Sequence, residues 1–231
     1  MTSNPGMQTF SPDLGVLPEA QRRLWEELRA VPVEFTLYGG TAIALQLGHR
    51  TSVYFDFFGC GPVDVISLER GLPFLARAQV VQREKGKLSA VVDRGAPVKV
   101  SFVAVSRLPR FAPPLVAEDN GLQVASLLDL AGTKSLVIQV RAAAQDYIDM
   151  DALIHAGGIG LPLALAAGRK LYGESFNPEI TLKALSYFDD GDLQELPADL
   201  KRRLARAVQD VDLDHLPRLV SDAHGGGAAG A

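Results

Sequence analysis

Two adjacent glycines, one aspartate among aromatic residues, and a lysine and an arginine in an otherwise apolar helical run could do chemistry in this 231-residue chain. Gly39-Gly40 follows an apolar, β-branched approach, Val33 to Leu37, and precedes a short apolar helical segment, Thr41 to Leu47, closed by Gly48. Glycines between a strand and a helix let backbone N–H groups come close to a ligand. The helix N-terminus adds partial positive charge, so the corner suits a phosphate. Beyond the basic turn His49-Arg50, a second strand runs from Val53 to Phe58. Alternation puts Tyr54, Asp56 and Phe58 on one face and Val53, Phe55 and Phe57 on the other. A carboxylate among aromatic neighbours is costly to bury unless it binds a cation or hydrogen-bond donors. Asp56 is therefore the first candidate, either as a cation ligand or as an acid held by Arg50 or backbone donors. Lys134 and Arg141 lie seven residues apart in Ser126–Gln145, which reads as one helix, so they share a face. A lysine in so apolar a helix needs a partner or a ligand. An ion-pair network joining Arg141 to Asp146 or Asp149 is the competing reading.

Gly39-Gly40-Thr41-Ala42, then His49-Arg50 and Ser52, then an acidic strand, resembles the nucleotidyltransferase-like toxins of AbiEii/AbiGii type, members of the DNA polymerase β-like nucleotidyltransferase superfamily. The usual pattern is Gly-Gly-Thr-Ala, Arg-x-Ser, then Asp-x-Asp, and the last element here reads Tyr54-Phe55-Asp56. Thr133-Lys134, then Arg141, then Gln145-Asp146-Tyr147-Ile148-Asp149 resembles the Lys…Arg…Lys-Asp-Tyr-x-Asp element of the same toxins. The resemblance implies transfer of a nucleotide from a nucleoside triphosphate to an acceptor such as tRNA, in a toxin–antitoxin or phage-defence setting with a partner antitoxin. It implies that Gly39, Gly40, Thr41, Arg50 and Ser52 meet the nucleotide, that Asp56 holds Mg²⁺, and that Lys134 and Arg141 grip triphosphate oxygens. Asp146 and Asp149 would orient that basic pair or act as further catalytic acids.

A complete site in this superfamily would have acids at positions 54 and 56 and often a third, which here falls at Ser101. One carboxylate stands where up to three could. A phenol is uncharged near neutral pH and a poor Mg²⁺ ligand, and its ring occupies space that the ion and its waters would need. The expected Mg²⁺ site is weak or absent, and the alternative function is a catalytically silent relative that binds a nucleotide or a protein partner. His49, in its turn, reads as a solvated or packing histidine rather than a base. Lys99 shares a strand face with Ser101, either near the site or in solvent.

Patterning supplies the elements that must position these residues. Residues 1–17, polar and punctuated by Pro and Gly, read as a loose terminus. Pro18 opens a helix with Leu24, Trp25 and Leu28 inward, ended by Pro32. Asp64 can cap a helix to about Arg77. Strands at Ala78–Arg83, Lys87–Val92 and Val98–Val105 are joined by Glu84-Lys85-Gly86 and Asp93-Arg94-Gly95, both hairpin signals. After the proline-bearing segment Arg107–Asn120 only helical patterning remains, at Ser126–Gln145, Tyr147–Ala156, Leu161–Tyr172, Pro178–Tyr187 and Ala198–Val211. Phe176, Tyr187 and Phe188 read as core of that half, and Lys201, Arg202, Arg203 and Arg206 as a solvated basic side. Residues 221–231, ending in HGGGAAGA, have nothing to pack. The expected fold class is α/β (α+β). A nucleotidyltransferase-type mixed sheet with flanking helices, 18–120, precedes an all-helical C-terminal module, 121–220, and a cleft between them receives the triphosphate.

With 47% hydrophobic and 22% charged residues, the chain reads as a soluble globular protein of one large domain or two small ones. A formal charge of −4 argues against non-specific adhesion to nucleic acid and leaves room for a local basic surface. The single cysteine, Cys60, cannot form an internal disulfide. No signal-peptide pattern opens the chain, and no apolar stretch approaches the ~18–20 residues that span a bilayer. The expectation is a cytoplasmic protein without membrane contact.

Overall fold

Strand β3 (Tyr54–Cys60) buries Phe55, Phe57 and Gly59 on one face and turns Tyr54, Asp56 and Phe58 to the other, as its alternation predicts. The computed structural model describes residues 8–106 and 108–219. Among these residues β3 lies inside an eight-stranded mixed sheet. On one side of it come β2 (Phe35–Tyr38), β8 (Gln123–Val124), β7 (Leu115–Ala117) and β1 (Thr9–Phe10). On the other come β6 (Pro97–Val105), β5 (Lys87–Asp93) and β4 (Gln79–Glu84). The hairpin glycines Gly86 and Gly95 sit at φ +73° and +92°, where a side chain would be strained, so both tight turns fall where the sequence signals them. Register fixes the site's floor. Tyr38 stands opposite Asp56 in the antiparallel β2–β3 pair, and Ser101 stands beside Asp56 in the parallel β3–β6 pair.

The buried face is aromatic. Phe57 stacks on Phe102 at 5.0 Å, and Phe102 meets Phe35 edge-on at 5.2 Å. Trp25, at the end of α1 (Glu19–Trp25), stacks on Phe55 at 6.3 Å, and Leu24, Trp25 and Leu28 are buried as expected. α2 (Gly39–Leu47) follows β2 directly and ends at Gly48 in the left-handed conformation. α3 (Val65–Gly71) is capped by Asp64, whose carboxylate accepts from the N–H groups of Ile66 and Ser67. It ends before Pro73 rather than near Arg77, because proline lacks the N–H a continuing helix needs. The helical half comprises α4 (Leu127–Val140), α5 (Ala144–His155), α6 (Leu161–Tyr172), α7 (Pro178–Leu185) and α8 (Ala198–Gln209). No helix among the described residues is long and apolar enough to cross a membrane.

Several boundaries move. Residues 9–17 are not loose: Thr9 pairs with Val116 in the sheet, and Leu17 is buried in the core, while residues 1–7 lie outside the described residues. The segment 108–120 carries β7, held down by the buried carboxylate of Asp129, which accepts from the N–H of Phe111 at 2.6 Å. The sheet runs past residue 120, since Val124 of β8 pairs with Leu37, and one buried cluster joins sheet and helices. The run expected as a single helix to Gln145 breaks at Arg141, whose backbone is extended at φ −148°, ψ 142°. Lys134 and Arg141 therefore do not share a helix face. Phe176 is buried and Phe188 packs against the core, but Tyr187 is half exposed. The tail 221–231 lies outside the described residues.

Candidate active site

The N-terminus of α2 is built from two glycines for two different reasons. Gly39 sits at φ +75°, which disfavours any side chain, and a Cβ there would lie 3.6 Å from Asp56 Oδ2. Gly40 has an ordinary φ but no room: a Cβ would run into the guanidinium of Arg50 and lie 3.0 Å from Asp149 Oδ2. Thr41 and Ser52 are buried with their hydroxyl oxygens 2.7 Å apart, and Thr41 also donates to the carbonyl of Tyr54. Both hydroxyls are spent fastening α2 to the start of β3, so their contribution is to hold the corner.

Behind the corner lies a network of charge. Asp149, with no exposed surface, receives His49 Nε2 at 2.7 Å, Arg50 Nε and Nη2 at 2.6 and 2.9 Å, and Lys134 Nζ at 2.8 Å. Asp146 receives Lys134 Nζ at 2.7 Å and Arg141 Nε and Nη2 at 2.7 and 3.1 Å. Burial alone would push the Asp149 carboxyl up. The hydrogen bonds from His49 and Arg50 and the charge of Lys134 override it and hold the group well below the usual carboxylate range. Asp146 is likewise lowered against its burial by Arg141 and Lys134. Two carboxylates thus hold three basic side chains: Arg50 and Lys134 lie largely enclosed with them, while Arg141 reaches the surface.

Arg141 faces both ways. Its Asp146 hydrogen bond raises its pKa, and the nearby charges of Asp56 and Asp149 add to the effect, so Asp56 lies within electrostatic reach of this network. Its side chain is nonetheless 66% exposed, whereas that of Lys134 is 7% exposed. Arg141 is the cation of the network best placed to meet a ligand. Asp56 itself is half-buried and accepts a short hydrogen bond from Ser101 Oγ, while Arg50 is committed to Asp149. No group of three or more His, Cys, Asp or Glu side chains among the described residues comes together to cage a metal ion. The side-chain oxygens joined at this point are the Asp56 carboxylate and the Ser101 hydroxyl. They fit one hard ion held by a single carboxylate plus a substrate's phosphates, and do not fit a cage of several carboxylates.

The family described as "Nucleotidyl transferase AbiEii toxin, Type IV TA system" matches residues 23–221. The chain belongs to the AbiEii nucleotidyltransferase toxin family. An uncharacterized protein of Aquifex aeolicus (strain VF5) is 30% identical over 178 residues, covering 75% of this chain and 84% of that protein. Among solved structures, MenT4, a nucleotidyltransferase toxin from Mycobacterium tuberculosis H37Rv, superposes with a TM-score of 0.56 over 84% of this chain and 83% of its own, at 17% identity. That likeness speaks to the fold.

Against the AbiEii pattern, the structure gathers Gly39, Gly40, Arg50, Lys134, Arg141, Asp146 and Asp149 around one helix N-terminus, with Asp56 beside it. Two of these residues sit differently from the simplest reading. Arg50, expected against Asp56 or a phosphate, pairs with the buried Asp149, and Lys134 is enclosed between two carboxylates. His49, read as a solvated or packing histidine, is a member of the network: its side chain is 8% exposed, and its Nδ1 is buried without a hydrogen-bond partner among the described residues. The signal for it was thin, a histidine directly before the arginine of the motif.

Proposed function

We propose that this site accepts the triphosphate of a nucleoside triphosphate and transfers a nucleotide to an acceptor hydroxyl such as one on tRNA. The setting is toxin–antitoxin or phage defence, the partner a cognate antitoxin protein, and the compartment the cytoplasm. The observation that carries the reading is the meeting of the Gly39-Gly40 corner, Asp56 and a cation-rich network at the N-terminus of α2. Backbone N–H groups at a glycine corner, a helix dipole and the exposed guanidinium of Arg141 all favour the same ligand, a polyphosphate.

In the transfer, the acceptor hydroxyl oxygen bonds to the α-phosphorus and gives up its proton to solvent, the bond from that phosphorus to the bridging oxygen breaks, and pyrophosphate leaves with the electron pair. The chain's part is positioning and charge. Arg141 neutralises phosphate oxygens from the rim, Lys134 and Arg50 supply fixed positive potential from below, and Asp146 and Asp149 keep all three in place. Asp56 is the carboxylate that would hold a divalent ion arriving with the triphosphate, an ion that would offset charge building on the phosphates.

A second reading has its own support: Tyr54 stands exposed where the family pattern has an acid, and Ser101 spends its hydroxyl on Asp56. On that reading the chain binds the nucleotide and transfers nothing. Incubating the native chain and Tyr54→Asp with radiolabelled triphosphates, Mg²⁺ and total tRNA separates the two. Label carried by the native chain establishes transfer. Label appearing only with Tyr54→Asp assigns a silent binder. No label from either, together with no triphosphate binding, overturns both readings.

A further inference from the structure

Tyr54 lies two residues before Asp56 on the same strand face, about 6.6 Å along the strand, and is 52% exposed. Its neighbour in the parallel register is Lys99, whose ammonium stands 6.0 Å from the centre of the ring. The other large aromatics of this face are packed: Tyr38 and Phe58 meet edge-on at 5.5 Å, whereas no aromatic partner lies against Tyr54 among the described residues. The backbone beneath the ring is fixed, since the Thr41 hydroxyl holds the Tyr54 carbonyl and β6 pairs along the strand. A ring on a fixed stretch of backbone, open to solvent, flanked by a cation and on the same strand face as Asp56, has what a planar heterocycle needs for stacking.

We propose that Tyr54, with Lys99, is a stacking platform for a nucleobase bound at this site. The inference deepens the nucleotidyltransferase reading and rests on it for the phosphate subsite. It gives Tyr54 a positive role: the side chain that cannot hold a metal ion presents a π-face instead. Every base has such a face, so the platform is tolerant of base identity. The base comes from the incoming nucleotide or from the single-stranded end of an acceptor RNA, and the chemistry of recognition is the same for both.

The test uses 2-aminopurine, a nucleobase whose fluorescence changes on stacking, in two probes: its riboside triphosphate and a short single-stranded RNA containing it. Each is titrated into the native chain, Tyr54→Phe and Tyr54→Ala, while calorimetry with inorganic tripolyphosphate reads the phosphate subsite without a base. The expected result is a fluorescence change with the native chain and Tyr54→Phe, and a Kd weakened about tenfold or more in Tyr54→Ala. Tripolyphosphate affinity and thermal midpoint should stay the same in all three. A Tyr54-dependent response from the triphosphate probe assigns the platform to the incoming nucleotide, and one from the RNA probe assigns it to the acceptor. Equal Kd values for both probes in the native chain and Tyr54→Ala would overturn the platform. Failure of tripolyphosphate to bind the native chain would instead overturn the phosphate subsite, leaving a Tyr54-dependent base response standing on its own.

Discussion

Arg50 and Asp149, 99 positions apart in the chain, meet in a two-point ion pair of 2.6 and 2.9 Å directly against Gly40. The pair joins the glycine corner of the sheet half to α5 of the helical half, so the site's geometry depends on how the two halves pack. Planar two-point pairing fixes direction as well as distance, which a lysine at position 50 could not do.

Gly40→Ala puts a methyl group where the guanidinium lies. Overpacking of this kind costs about 1–3 kcal/mol, and here the cost should arise from displacing Arg50 rather than from backbone strain. In an Arg50→Ala background the added cost of Gly40→Ala should shrink, because the obstructing group is gone. Urea denaturation of the four members of that cycle checks this. Equal costs in both backgrounds would mean that Arg50 is not what excludes the side chain.

Stability should carry an acid limb owed to Asp149. Its folded pKa is depressed below the unfolded value of ~3.9, so the contribution is fully present above that value and drains as pH falls through it toward the folded one. Asp149→Asn should lower the thermal midpoint at neutral pH and flatten its decline below pH ~4. An unchanged slope in that acid range would show that other carboxylates carry the acid sensitivity.

Legibility followed the range of the interactions. The alternation of β3 was readable because Phe55 and Phe57 must bury while Tyr54 and Asp56 must not, a contrast contained in consecutive residues. The hairpins and the Asp64 cap were equally local. His49 was not readable, since the residue that gives it a role, Asp149, is 100 positions away. The break at Arg141 was hidden in VRAAAQ, which holds neither proline nor glycine, and the helix ends where Arg141 leaves it to bond Asp146. Strands as short as Thr9–Phe10 and Gln123–Val124 leave no periodic trace and exist only through their partners.

Lys134→Met tests the buried centre of the network. Removing one member of a buried charge set leaves the others uncompensated at ~3–5 kcal/mol, and the remaining bonds from Arg50 to Asp149 and from Arg141 to Asp146 should keep the loss at the lower end. The same change should weaken tripolyphosphate binding, because fixed positive potential is lost beneath the site. A stable variant with unaltered binding would show the ammonium to be dispensable for both.

Arg141→Ala should separate binding from folding. The side chain is 66% exposed, and Asp146 keeps its 2.7 Å bond from Lys134 without it, so the loss of stability should stay under about 1 kcal/mol. A charge-assisted hydrogen bond to phosphate is worth about 1.5–3 kcal/mol, so the same substitution should weaken tripolyphosphate binding by roughly ten- to a hundredfold. Rising salt should shrink that difference, because an ion pair at an exposed rim is screened. Calorimetric titration of both proteins at two ionic strengths, alongside their urea midpoints, makes the comparison. Intact affinity after loss of Arg141 would place the phosphates elsewhere, whereas a loss of stability as large as that of Lys134→Met would make Arg141 a structural cation and not a ligand-facing one.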